Sequence, residues 1–266
     1  MSAGPGSSWR GCGWRPRPCL EFLKAAWIKA QATRRRRPEL ARQEAAWILA
    51  GFAGWLLAAR SLPASPSARA RARGLLWWAG CGLMLDWHLG MLETPEGRPV
   101  RLGAADALTL ARAWLAPAVA AQPEPMLLLV GGLTDVADGR IARVTRCTRF
   151  GRDLEGLADA CFSWAALRGA VRAGGLSPRP AALEQARLLA GTAHASAAYF
   201  VAGRAPNPAV RRGGRSAVPL RLGGLVAGGL GRRALADRLV LTGTVMAIDL
   251  ELRRSQDTRA PAGPTR

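Results

Sequence analysis

The sequence predicts an all-α protein, a polytopic membrane helix bundle with a six-helix core and about two extra N-terminal helices. Apolar segments of helical length follow one another along the 266 residues, and a membrane span needs about 20 such residues. Short polar breaks rich in proline and glycine separate them. Tyrosine occurs once, while alanine, glycine, leucine and arginine are abundant, a composition that does not favour β-sheets.

The apolar segments predict eight membrane helices in chain order. They lie near 44–60, 74–93, 105–121, 126–146, 153–171, 182–203, 216–231 and 234–252. The breaks include 61–66 and 205–208, each with two prolines. Proline lacks a backbone N–H and ends helices, so we expect loops at these positions. No period-two pattern typical of a strand is present.

The chain begins with a basic arm. Leu20, Leu23, Trp27 and Ile28 fall on one helical face, ahead of the arginine run 34–37. This pattern is typical of an amphipathic surface helix on anionic lipid, and equally of a solvated basic linker.

The net charge of +20 indicates an anionic partner, either nucleic acid or the acidic surface of a membrane. We expect no nucleic acid, because no zinc or helix-turn-helix pattern is present. If the arginine run 34–37 is cytoplasmic, eight spans return the basic loops 147–152 and 204–215 to the cytoplasm, which agrees with the positive-inside rule. The cluster of Arg69, Arg71 and Arg73 falls outside and departs from that rule. An integral protein of the cell membrane is therefore expected.

Four carboxylates lie inside this apolar region. Asp135 and Asp138 are three residues apart, and Glu155 and Asp159 are four apart, so each pair shares one face of a helix. Four converging carboxylates in an apolar setting would repel one another and lose hydration. A divalent cation relieves both problems. The spacing predicts a site for a divalent metal, and this metal makes phosphate chemistry the first expectation.

The acids and their neighbours resemble the signature of the CDP-alcohol phosphatidyltransferase family. That signature is D-x2-D-G-x2-A-R, then seven or eight residues, then G-x3-D-x3-D. Its positions here are Asp135, Asp138, Gly139, Ala142, Arg143, Gly151, Glu155 and Asp159. Glu155 stands where the family has its third aspartate, and every other specified position matches.

A second stretch is similar to the N-x-L-T-x2-R opening of the family's first core helix. It contains Leu108, Thr109, Arg112 and Pro117, with Asp106 in place of the usual asparagine. The resemblance covers roughly residues 103–252. The chain is thereby divided into an N-terminal arm (1–43, partly disordered), two extra membrane helices (44–100), the family core (101–253) and a disordered tail (254–266).

The resemblance implies a reaction. A hydroxyl group attacks the β-phosphorus of CDP-diacylglycerol, the phosphatidyl group is transferred, and CMP leaves. It also implies binding of Mg²⁺ or Mn²⁺ by Asp135, Asp138, Glu155 and Asp159, with Asp159 as the general base. The residues expected to contact the nucleotide are Gly139, Ala142, Arg143, Gly151, Thr109 and Arg112. The active site is expected to face the cytoplasm, and a homodimer is expected from the family.

The resemblance implies a small alcohol as the acceptor, and four arginines bear on whether it is phosphorylated. Guanidinium groups match phosphate oxygens, which favours glycerol 3-phosphate or an inositol phosphate, while serine and a second lipid remain alternatives. Such arginines are more often ordinary charges of cytoplasmic loops. The four are Arg149, Arg152, Arg211 and Arg212.

Two other functions compete with this prediction. Glu155 and Asp106 depart from the family pattern, which favours a degenerate member that acts as a non-enzymatic membrane protein. A prenyltransferase-type enzyme also uses aspartates and Mg²⁺ on pyrophosphate, but its motifs have wider spacing and lack the second glycine element.

Overall fold

The computed structural model describes residues 17–61, 68–93, 98–144, 149–200 and 216–257. Over these residues it contains helices and no β-strand, so the all-α prediction is confirmed there. A 3₁₀ turn, Leu89–Met91, precedes the fourth helix. The α-helices are α1 (Arg17–Arg36), α2 (Pro38–Ser61), α3 (Ala68–Trp87), α4 (Ala104–Ala121), α5 (Pro125–Val144), α6 (Arg149–Arg172), α7 (Pro178–Phe200), α8 (Val218–Gly229) and α9 (Arg233–Asp257).

Each of the eight predicted helices overlaps one of α2 to α9, and α1 is the helix expected in the basic arm. The observed helix ends differ from the predicted ones in charged or proline-containing stretches, where hydropathy does not indicate a helix. α2 begins at Pro38 rather than near 44, because proline fits the first turn of a helix. α3 begins at Ala68, in an arginine-rich stretch, and ends at Trp87 rather than 93. Charged residues are thus helical beyond the apolar segments.

The chain divides into two compact units, and the division falls after Gly169, inside α6. The first unit contains α1 to α5 and most of α6, and the described part of the second contains α7 to α9. Among the described residues, no helix combines the length and the apolar character that crossing a membrane requires. The membrane-spanning part of the prediction remains a prediction.

In the first unit, α4 contacts α2, α3 and α5 and buries Leu110, Ala116 and Val119. At its start, the Gly103 backbone N–H donates to Asp106 Oδ2 at 2.9 Å. A carboxylate here satisfies one of the unpaired amides of the first turn and complements the helix dipole. Asp106 therefore has a structural role at the position where the family has asparagine.

Glycine leaves room for a side-chain contact between α5 and α6 in the same unit. A Cβ placed on Gly131 of α5 would collide with the ring of Phe162 on α6. A Cβ on Gly169 would similarly collide with the Val119 carbonyl of α4. The residues one turn from the Gly131–Phe162 contact on α5 and α6 are consequently brought near one another.

In the second unit, the carboxylate of Glu184 joins three helices. Arg187, also on α7, donates to it through Nε at 2.9 Å and Nη2 at 2.7 Å. Arg221 Nη1 of α8 donates to it at 2.6 Å, and the Thr244 hydroxyl of α9 donates at 2.9 Å. Arg187 Nη1 also donates to Glu251 of α9 at 2.8 Å. Glu184 and Thr244 are buried, so these contacts fix the three helices at one point.

Candidate active site

Three carboxylates from two helices converge in the first unit. Asp135 projects from α5, and Glu155 and Asp159 project from α6. One carboxylate oxygen of each lies within 4.8 Å of the others. The four-residue spacing of Glu155 and Asp159 puts both on one face of α6, and the Gly131–Phe162 contact brings that face close to α5. The group has the composition and spacing of a site that could hold a cation.

Glu155 reaches this group despite its difference from the family pattern. Its side chain has one methylene more than aspartate, yet its carboxylate lies within the same 4.8 Å as those of Asp135 and Asp159. The substitution therefore keeps an oxygen ligand in range of the other two acids.

A buried arginine lies against two of these acids. Arg112 of α4 is 1% exposed. Its Nε lies 2.7 Å from Asp159 Oδ1, and its Nη2 lies 3.8 Å from Asp135 Oδ1. The sequence predicted that Arg112 contacts the nucleotide, and the structure directs its side chain to the acids. No sequence signal distinguishes these two roles, because the family opening fixes the residue type and not its partner.

The charges of this group suit a divalent cation. The group contains three carboxylates, and one guanidinium lies against two of them. Mg²⁺ and Mn²⁺ prefer carboxylate oxygens as ligands. The side chains of Asp135 and Asp159 keep 24% and 34% of their surface exposed, so a substrate can approach them. The donor set fits such a metal.

The other predicted residues are less fully described. Thr109 is buried, and its hydroxyl donates to the Ala105 carbonyl of its own helix at 3.2 Å. Arg211 and Arg212 lie outside the described residues. For seven positions in α5 and α6 the structure describes the backbone alone, and their assignments remain predictions. They are Asp138, Gly139, Ala142, Arg143, Arg149, Gly151 and Arg152.

Comparison with known proteins identifies the family. The profile described as CDP-alcohol phosphatidyltransferase matches residues 103–250, which is more than half of the chain. Searches with this chain found no match among curated proteins or solved structures. The matched range includes Arg112 and the three converging acids, whereas α1 to α3 precede it. The protein therefore belongs to the CDP-alcohol phosphatidyltransferase family.

Proposed function

We propose that this protein transfers the phosphatidyl group of CDP-diacylglycerol to a small, phosphorylated alcohol and releases CMP, in phospholipid biosynthesis. The observation that carries the proposal is the convergence of Asp135, Glu155 and Asp159 inside the range that matches the family. Phosphoryl transfer needs concentrated negative charge to be neutralised and the attacking hydroxyl to be deprotonated. These acids would hold the cation that neutralises this charge, and one of them would take the proton.

Asp159 is the general base in this proposal. As the acceptor oxygen bonds to the β-phosphorus, its proton passes to the Asp159 carboxylate. The bond from the β-phosphorus to the bridging oxygen breaks, and CMP leaves with that oxygen. Two features support the role: the side chain of Asp159 is partly exposed, and its Oδ1 lies 2.7 Å from the Nε of Arg112. An ion pair of this kind reduces the orientational freedom that the base loses when the substrate binds.

Metal and nucleotide binding follow the family signature. Asp135, Glu155 and Asp159, joined by Asp138, would hold Mg²⁺ or Mn²⁺. Such a cation polarises phosphoryl oxygens and stabilises the leaving phosphate. We assign contact with the CDP group to the small and basic residues of the signature and of α4. They are Gly139, Ala142, Arg143, Gly151, Thr109 and Arg112.

The acceptor is assigned to the class of phosphorylated alcohols, such as glycerol 3-phosphate or an inositol phosphate. Arg149 and Arg152, at the start of α6, lie one to two turns before Glu155 in sequence. Arg211 and Arg212 add two guanidinium groups farther along the chain. Charge-assisted hydrogen bonds from such groups select phosphate over a neutral substituent.

We also propose that the protein is integral to the cell membrane, with this site facing the cytoplasm and its basic segments on anionic lipid. Large apolar side chains on α2 and α3 support the proposal, because Leu49, Leu57 and Leu76 are 64%, 61% and 73% exposed. Exposed apolar surface of this kind is stable in lipid and unfavourable in water. The protein should therefore remain in the membrane fraction after alkaline carbonate extraction. A homodimer should appear on crosslinking in native membranes.

The decisive experiment measures CMP release by the purified protein in nanodiscs. CDP-diacylglycerol, Mg²⁺ or Mn²⁺, and a panel of alcohols are supplied, with Asp159→Asn as the control. We expect release that requires the metal, Asp159 and one phosphorylated alcohol. Release with an unphosphorylated alcohol alone would refute the acceptor class. Binding of CDP-diacylglycerol without release for any acceptor would favour the non-enzymatic alternative, and failure to bind it would refute the proposal.

A further inference from the structure

Pro117 lies inside α4 and removes a donor from that helix. In a regular α-helix, the amide of residue 117 would donate to the carbonyl of residue 113, and proline has no N–H. Ala113 is buried, so water is a poor replacement. A buried carbonyl without a donor costs free energy, and the chain has to satisfy it from another element.

Trp77 of α3 donates to this carbonyl. Its indole Nε1 lies 2.8 Å from the Ala113 oxygen. Trp77 belongs to the N-terminal segment that precedes the family match at 103–250. One of the two extra helices thus supplies the hydrogen bond that a proline in the family core leaves open.

The neighbouring residues of α4 connect this bond to the candidate site. Arg112 precedes Ala113, and its guanidinium lies against Asp159 and Asp135. On the other side, the Trp114 ring packs where a Cβ on Gly51 of α2 would lie. The start of α4 is also held by α2, because the Gln43 side chain exchanges hydrogen bonds of 3.1 Å with both backbone groups of Leu102.

We propose that α2 and α3 form a brace for α4, and that Trp77 is a positioning residue for the active site. By its bond to the Ala113 carbonyl, Trp77 fixes how α4 bends at Pro117 and therefore where Arg112 holds Asp159 and Asp135. Helices bend at proline because the hydrogen-bond ladder is interrupted there, and a donor from another helix selects one bend. The link to the metal site rests on the proposed function, whereas the brace itself does not.

The test compares Trp77→Phe with Trp78→Phe in the full chain in nanodiscs. Phenylalanine keeps an aromatic ring and removes the N–H. Trp78 is the matched control, because its ring packs on Phe52 of α2 with centroids 4.8 Å apart. We expect Trp77→Phe to speed amide exchange in α4 and to weaken Mn²⁺ binding, followed by electron paramagnetic resonance, by about fivefold. Trp78→Phe should leave both close to the wild type.

Pro117→Ala supplies the missing amide and completes a double-mutant cycle. In the Pro117→Ala background, Trp77→Phe should change Mn²⁺ affinity and α4 exchange by less than about twofold, because Ala113 then has a donor within its own helix. The same holds for folding: a Trp77→Phe protein that fails to fold alone should fold in that background. An equal effect of Trp77→Phe in both backgrounds would overturn the proposal.

Two further outcomes separate the brace from the function. Faster exchange in α4 with unchanged Mn²⁺ affinity would overturn the link between Trp77 and the metal site. Unchanged exchange in Trp77→Phe would overturn the brace itself. Absence of CMP release from the wild type would refute the proposed function while the exchange measurement still tests the hydrogen bond.

Discussion

Phe162 of α6 occupies the space next to Gly131 of α5 that any other side chain at position 131 would fill. Gly131 lies four residues before Asp135, and Phe162 lies three residues after Asp159. Both spacings are about one helical turn, so the apolar contact and the acids are stacked along the same two faces. The contact therefore sets the separation of α5 and α6 at the candidate site.

Gly131→Ala should disturb both stability and metal binding. The new methyl group meets the Phe162 ring and forces the two helices or the ring to move, at a cost of about 1–3 kcal/mol of unfolding free energy. Thermal melting and Mn²⁺ affinity measure the two effects. Gly54→Ala is the control, because nothing lies near its Cβ position and alanine is favoured within helices. Equal effects of the two variants would contradict this role of the contact.

Two substitutions at Glu155 should distinguish the effect of its charge on activity from the effect of its side-chain length. Glu155→Gln removes one of the three carboxylates, and we expect Mg²⁺-dependent CMP release to fall about 100-fold, as for loss of an important electrostatic group. Glu155→Asp restores the family residue and should retain activity within about tenfold. Titration with Mg²⁺ and Mn²⁺ measures both variants, and Glu21→Gln on the exposed surface of α1 is the control. Full activity of Glu155→Gln would exclude this residue as a ligand.

Arg112→Lys should lower the catalytic constant more than it raises the Michaelis constant for CDP-diacylglycerol. Lysine keeps the charge but lacks the planar fork that spans Asp159 and Asp135, so the base loses its fixed position. A fall of about tenfold in kcat is expected. A raised KM with unchanged kcat would instead indicate that Arg112 mainly binds the nucleotide. Arg168→Lys, at an exposed position of α6, should change neither constant.

Glu184→Gln should strongly destabilise the second unit. The amide has the shape of the carboxylate, but it leaves Arg187 and Arg221 without their shared negative charge. Breaking a buried ion pair costs about 3–5 kcal/mol, which melting in nanodiscs followed by circular dichroism would detect. Asp249→Asn, in an exposed pair with Arg253, should leave the melting temperature unchanged. Equal melting temperatures for the two variants would show that the Glu184 contacts contribute little.

The sequence predicted the positions of the helices better than their ends. Apolar segments located α2 to α9, because each buries part of its surface against neighbours. The arginine-rich start of α3 and the charged end of α9 were missed, since helices continue beyond the residues that pack. Hydropathy indicates which residues are buried and carries little information about where a helix begins or ends.

The sequence predicted the acids of the candidate site, but not the contacts that position them. The fixed intervals between Asp135, Glu155 and Asp159 predicted that they form one group, and the structure places the three together. The partners of Arg112 and the bond from Trp77 to Ala113 join residues far apart in sequence, and no local period encodes them. Of the Glu184 contacts, only the one with Arg187 has a local signal in the sequence, which is the three-residue spacing. Arg221 and Thr244 are distant in sequence and reach Glu184 only in the folded chain.

The Glu184 contacts also bear on the order in which the second unit folds. Arg221 follows Glu184 by 37 residues and Thr244 by 60, so α7 leaves the ribosome before these partners exist. Until they are made, Arg187 is the partner of Glu184 within α7. The second unit therefore gains the contacts that join its three helices only when α8 and α9 have been synthesised.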